Sequence, residues 1–178
     1  MTDLRPIETT YAGCRFRSRL EARWAVFFDA LAIPWHYEPQ GWVAEGAPYL
    51  PDFWLPSQNV WYEVKGTEPL PGYRPRLEGL AVGTKRRLVL AIGDIPRPDT
   101  WSSTVPFRIE VCYPNGDWDD GHAWCRCPTC QAIDIQFDGL ANRTCQCHTD
   151  RTTGGDDPDI LNAYAAARSA RFEREQVG

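Results

Sequence analysis

Between Ser18 and Ala32 the apolar residues Leu20, Trp24, Phe27, Phe28 and Leu31 recur at the three- and four-residue intervals of one helix face, and Pro34 stops the run. Runs rich in strand-forming residues follow at Trp35–Glu38, Tyr49–Leu55 and Val60–Lys65. The turn Pro56-Ser57-Gln58-Asn59 predicts a hairpin between the last two. The Pro- and Gly-rich stretch from Gly66 to Gly72 leads into a short helix near Pro75–Leu80. Arg87–Ile92 is a dense apolar strand, Pro96–Pro106 a connector, and Phe107–Tyr113 alternates as one more strand. Residues 1–14 show no period and read as a loose lead-in. An acidic region begins at Asp117 and runs into a group of cysteines. After a linker at Thr152–Gly155, Asp157 as N-cap and Pro158 at the first helical position open an Ala-rich helix. That helix is predicted to run to Glu175 and to bury Ile160, Tyr164 and Phe172. The pattern predicts an α/β core over 1–115, a cysteine module over 116–150, and a linker with a terminal helix over 151–178.

Composition supports a folded chain: of 178 residues 43% are hydrophobic and 24% charged, with eight Trp. No apolar run reaches the ~20 residues of a membrane span, and the N-terminus lacks an apolar signal core. The expectation is a cytoplasmic protein with no membrane partner. The net charge of −5 excludes a polycation that coats nucleic acid by bulk charge. The charge is uneven, however. Residues 1–100 hold 12 basic and 12 acidic side chains, and 101–178 hold 7 and 12, so the first half is neutral. Its basic residues also cluster, as Arg15, Arg17, Arg19 and Arg23 and as Arg74, Arg76, Lys85, Arg86 and Arg87. The first cluster is a candidate for phosphate contacts; for Lys85–Arg87 the sequence favours neither a phosphate contact nor a solvated face. His36 reads as structural.

Chemistry concentrates in Pro51-Asp52 and Glu63-Val64-Lys65. Alternation along a strand puts Glu63 and Lys65 on one side and Tyr62 and Val64 on the other. With Asp52 on the adjacent strand, two carboxylates approach each other, which favours a hard divalent cation such as Mg²⁺ or Mn²⁺ between them. Lys65 beside such a cation orients or deprotonates water, or stabilises phosphate charge, as phosphodiester hydrolysis requires. Taken singly, a Glu-x-Lys on a strand is more often a solvated face and a Pro-Asp more often a turn.

Together these residues resemble the PD-(D/E)xK nuclease superfamily. Glu21, in Arg19-Leu20-Glu21-Ala22-Arg23, sits where that superfamily places a further acidic residue on a preceding helix. The order Glu21, Asp52, Glu63, Lys65 most resembles the phage endonuclease I type of junction-resolving enzyme, over roughly residues 11–92. The resemblance implies a restriction-endonuclease-like core, a mixed central sheet with flanking helices. It further implies a metal-dependent DNA endonuclease of phage or bacterial origin that cuts branched DNA as a homodimer. In that scheme Asp52 and Glu63 ligate the metal, Lys65 is catalytic, and Glu21 belongs to the active site. Ser18-x-x-Glu21 is equally a capping box, in which Glu21 serves the helix start.

Five of seven cysteines fall between Cys125 and Cys147. Cys127-Pro128-Thr129-Cys130, a short alternating strand, and Cys145-Gln146-Cys147 form a zinc-ribbon pattern, two knuckles closing a tetrahedron of thiolates. Cys125 and His148 compete for places in that ligand set. Such a ribbon has too small a core to hold without metal, so Zn²⁺ here is structural. Cys14 and Cys112 read as buried thiols. Two other functions fit the same residues: a restriction- or defence-type nuclease acting on linear duplex, and a non-catalytic zinc-ribbon adaptor on a nuclease-like core.

Overall fold

The computed structural model describes residues 7–44, 46–97, 107–137, 147 and 157–172. In chain order the elements are β1 (Thr9–Tyr11), β2 (Cys14–Phe16), α1 (Arg19–Ala30), β3 (His36–Tyr37), β4 (Trp42–Ala44), β5 (Ala47–Tyr49), β6 (Phe53–Leu55) and β7 (Val60–Lys65). They continue with a 3-10 turn (Pro71–Tyr73), α2 (Arg74–Thr84), β8 (Arg87–Ile92), β9 (Arg108–Cys112), β10 (Trp118–Arg126), β11 (Ile133–Phe137) and α3 (Pro158–Ser169). The fold is mixed α/β, on a seven-stranded sheet of order β11-β10-β9-β8-β7-β6-β3. Within that sheet β7 and β8 are parallel and the other neighbours antiparallel. A parallel pair needs a crossover, and the segment carrying α2 supplies it.

Alternation on β7 splits the interior in two. Val60, Tyr62 and Val64 face α1 and α3, in a cluster with Phe53, Leu55, Val89, Ala91, Val111, Trp124 and Ile135. Trp24, Phe27 and Phe28 of α1 form its aromatic centre: Trp24 lies 5.1 Å from the Tyr62 ring and Phe27 4.6 Å from the Tyr164 ring. On the opposite face, Trp61, Leu88, Leu90, Ile92 and Cys112 pack against Leu77, Leu80 and Ala81 of α2 and against the β4–β5 hairpin. The sheet is thus the middle of three layers.

Three departures from the sequence pattern have local causes. Residues 9–16 form the β1–β2 hairpin, turning at Ala12 and Gly13 with φ of 48° and 78°; Ala is a rare residue there and hides the turn. The stretch Tyr49–Leu55 divides into β5 and β6 at Pro51. Helix α3 starts on Asp157 as expected but ends at Ser169, because Ala170 (ψ 127°) turns out of the helix; Phe172 beyond it still packs on the core.

The cysteine module also joins the core more closely than its sequence suggests. The boundary at 115/116 falls within a continuous sheet, since β10 pairs with β9 on one side and β11 on the other. The acidic stretch from Asp117 is the exposed start of β10. A bulge between Asp119 and His122, with Gly121 at φ +71°, adds one residue against β9. Arg126 at the end of β10 then ties the module to α3, reaching Asp157 (2.9 Å) and Asp159 (2.7 Å). Asp157 simultaneously caps α3 by accepting from the Asp159 and Ile160 amides.

Asp157→Ala removes both a cap and a mostly buried ion pair, so it should destabilise the protein by about 2–4 kcal/mol in urea unfolding. Asp159→Ala, whose carboxylate is exposed, should change stability by less than about 1 kcal/mol.

Candidate functional site

The site forms where β6 runs antiparallel to β7. Phe53 pairs with Tyr62, so Asp52 stands opposite Glu63. The two residues lock together through the backbone. The Asp52 amide donates to Glu63 Oε2 (3.2 Å), and the Val64 amide donates to Asp52 Oδ2 (2.8 Å). Both side chains are only 1% exposed. Lys65 reaches Glu63 Oε1 at 2.5 Å, the Val64 carbonyl at 3.2 Å and Asp52 Oδ2 at 3.9 Å. The juxtaposition expected of Asp52, Glu63 and Lys65 is therefore present.

Charge crowding decides the protonation states. Burial, and then the neighbouring Glu63 carboxylate, push the Asp52 carboxyl well above the usual carboxylate range against the pull of Lys65. Burial disfavours the Lys65 ammonium, but Glu63 and Asp52 outweigh it and raise its pKa above the ordinary lysine value. Lys65 is accordingly a fixed cation near neutral pH. In that state it can donate to an oxyanion.

Three tyrosines that no motif marks complete the arrangement. Tyr49, from the β4–β5 hairpin, donates to Glu63 Oε2 at 2.6 Å. Tyr73, from the 3-10 turn, donates to Glu63 Oε1 and lays its ring 4.8 Å from the Lys65 ammonium. Burial and then Glu63 push the Tyr73 phenol up to about 12, and Tyr49 is raised by the same causes, so both remain donors. Tyr37 on β3 donates to Glu21 Oε2 (2.6 Å) and accepts from the Arg17 amide (3.0 Å). A lone tyrosine carries no spacing signature. The only signal was the proximity of Tyr49 to the Pro-Asp pair.

Glu21 lies at the start of α1, between the helix cap and the carboxylate pair. Ser18 caps α1 by accepting from the Glu21 amide (3.2 Å), and its hydroxyl donates to Glu21 Oε1 (2.8 Å). The carboxylate is close enough to Asp52 to help raise its pKa. It does not gather with Asp52 and Glu63 into a three-carboxylate group: among the described residues, the one trio of potential ligand atoms within 4.8 Å of one another is Cys127, Cys130 and Cys147.

The arginine cluster is largely committed within the protein. Arg17 bridges Asp52 Oδ1 (2.7 Å) and Glu38 Oε1 (2.5 Å). Arg15 pairs with Glu8, and Arg23 reaches Asp94 at 3.4 Å. Arg19 is half-buried in the first turn of α1. In the second cluster, Arg87 is fixed by Asp134 and by the Ile135 carbonyl, a structural staple between β8 and β11.

The second centre lies in the loop between β10 and β11. Cys127 accepts from the Cys130 amide through Sγ (3.4 Å), and its Sγ stands 3.5 Å from that of Cys147. Desolvation opposes ionisation of Cys127. The Cys130 and Thr129 amides and the two nearby thiols override it and bring the thiol down to about 5. Three thiols with one already biased to thiolate suit a soft, tetrahedral ion such as zinc. Cys125 is buried on β10 and stands outside the trio; Cys145 and His148, the other expected ligands, lie outside the described residues.

Comparison of the chain with protein-family models, curated proteins and solved structures finds no match. No described helix is long and apolar enough to cross a membrane.

Two measurements test these centres. Because the folded Asp52 pKa lies above its unfolded value, the native chain keeps this proton over a pH range in which the unfolded chain has lost it. That contribution is present at low pH and is lost as pH rises through the folded pKa. Asn does not titrate, so Asp52→Asn should gain stability relative to wild type as pH rises above the ordinary carboxylate range, read by metal-free urea unfolding. At the cysteine centre, the purified protein should hold one zinc by elemental analysis, and Cys127→Ser should lose most of it.

Proposed function

We propose that this protein is a metal-dependent DNA endonuclease on a restriction-endonuclease-like core, with a structural zinc at the cysteine centre. The observation that carries the reading is the buried pair of Asp52 and Glu63 with Lys65 Nζ beside both, at the end of β7. The donor set is all oxygen and its charge is crowded, which fits a hard cation such as Mg²⁺ or Mn²⁺. That cation supplies Lewis acidity at a phosphoryl oxygen and a more acidic water.

The chain's own residues account for the rest. Asp52 and Glu63 hold the cation, and Tyr49 and Tyr73 fix the rotamer of Glu63. Lys65, as an ammonium, would donate to the phosphoryl oxygen on which charge builds as water adds to phosphorus, one P–O ester bond breaks and the water's proton passes through solvent to the leaving alkoxide. Glu21 acts on the pair from a distance, through Tyr37 and the field at Asp52. Arg15, Arg17, Arg19 and Arg23 would supply phosphate contacts by exchanging their internal partners for the backbone of the substrate, and paired cuts in branched DNA would take two copies of the chain.

The test is cleavage of supercoiled plasmid and of a four-way junction in Mg²⁺ or Mn²⁺. Asp52→Asn, Glu63→Gln and Lys65→Met should each lose about 10²-fold or more in rate while remaining folded. Preference for the junction selects a resolving enzyme, and preference for plasmid a duplex cutter. Absence of cleavage of either substrate by folded, zinc-loaded protein would overturn the reading in favour of a non-catalytic adaptor.

A further inference from the structure

The environment of Arg17 differs from that of the other cations near the site. It is the residue immediately before the N-cap Ser18, and its amide is anchored on the Tyr37 hydroxyl. From that fixed point its guanidinium lies across Asp52 Oδ1 and Glu38 Oε1. Its side chain is 54% exposed, whereas the Asp52 side chain it covers is 1% exposed. Lys65, by contrast, is held between Glu63, the Val64 carbonyl and the Tyr73 ring. Each carboxylate oxygen of the pair already accepts from a protein donor. Glu63 takes Lys65 and Tyr73 on Oε1 and Tyr49 and the Asp52 amide on Oε2; Asp52 takes Arg17 on Oδ1 and the Val64 amide on Oδ2. Of the side chains among these donors, Arg17 is the exposed one, and its turning away would uncover Asp52 Oδ1.

We infer that Arg17 is a displaceable counter-cation that couples divalent-cation binding to phosphodiester binding. It rests on the reading of Asp52 and Glu63 as a cation site. Alone, Arg17 neutralises Asp52 and competes with an incoming cation for Oδ1. A phosphodiester on the outer side offers the guanidinium a bidentate anionic partner of the kind it favours. Once Arg17 turns to that phosphate, Asp52 Oδ1 is open. Each ligand therefore frees the position the other needs, and by linkage the gain is equal in both directions. The structure assigns to Arg17 a positioning role specific to phosphate-bearing substrates, in place of a general basic contact.

The experiment uses the full, zinc-loaded chain. Mn²⁺ binding is measured by the electron paramagnetic resonance signal of the free ion. Binding of a short fluorescent phosphorothioate duplex is measured by anisotropy, with and without Mn²⁺. In wild type, Mn²⁺ should tighten duplex binding about fivefold or more. Arg17→Gln should bind Mn²⁺ several-fold more tightly than wild type in the absence of DNA, and should show a smaller gain in duplex affinity on adding Mn²⁺. Arg17→Lys, which keeps the charge but cannot fork between two carboxylates, should fall between them and covers the case in which Arg17→Gln fails to fold. Mn²⁺ binding that is lost in Asp52→Asn but no tighter in the Arg17 variants would overturn the inference and leave the cation site standing. No Mn²⁺ binding by wild type or by any Arg17 variant would overturn both.

Discussion

Two carboxylates buried side by side repel each other, and much of the surrounding architecture answers that repulsion. Asp52 and Glu63 are brought together by the antiparallel register of β6 and β7. Without compensation such a pair would take up a proton or force the strands apart. Donors arrive from four directions: Lys65 from the same strand, Tyr49 from the β4–β5 hairpin, Tyr73 from the start of α2, and Arg17 from the loop before α1. The β4–β5 hairpin belongs to neither edge of the main sheet. Its packing on α2 through Ala44 and Tyr49 makes sense as a bracket that delivers one phenol.

A second consequence follows from which face carries charge. Strand β7 presents Tyr62 to the aromatic centre formed by α1 and Glu63 to the α2 side, so one strand belongs to the most apolar and the most polar parts of the interior at once. Trp24, Phe27 and Phe28 hold the backbone of β7 from behind. The site is therefore backed by close packing, and the exposed Arg17 lies on its solvent side.

The elements legible in the sequence were those with a strong local signature. Helix α1 had its five-residue apolar stripe and Ser18, α3 had Asp157-Pro158, and β7 and β8 had dense strand-forming runs. The Asp52–Glu63–Lys65 grouping was legible because a hairpin needs only its turn and alternation to be placed. What escaped was non-local or masked by an unusual residue. The β1–β2 hairpin turns on an alanine at positive φ. The exposed acidic face of β10 looks like a break in the fold because that strand shows its polar side before its buried one. The ion pairs of Arg17, Arg87 and Arg126 also escaped, since their partners Asp52, Asp134 and Asp157 are set by the tertiary structure and no spacing rule links them.

Strand neighbours from β6 through β11 follow the order of the chain. The sheet can therefore grow by laying each new strand on the last, with short loops to close apart from the α2 crossover and the connection from Ile92 to Arg108. The docking of α3 on α1 brings together residues far apart in the chain: Phe27 meets Tyr164, and Tyr11 of the first hairpin meets Phe172. These contacts close the longest loops of the described chain and carry its largest loop-closure entropy. The carboxylate pair, by contrast, joins residues 11 apart, so the geometry of the site rests on a local contact while the aromatic packing behind it rests on distant ones.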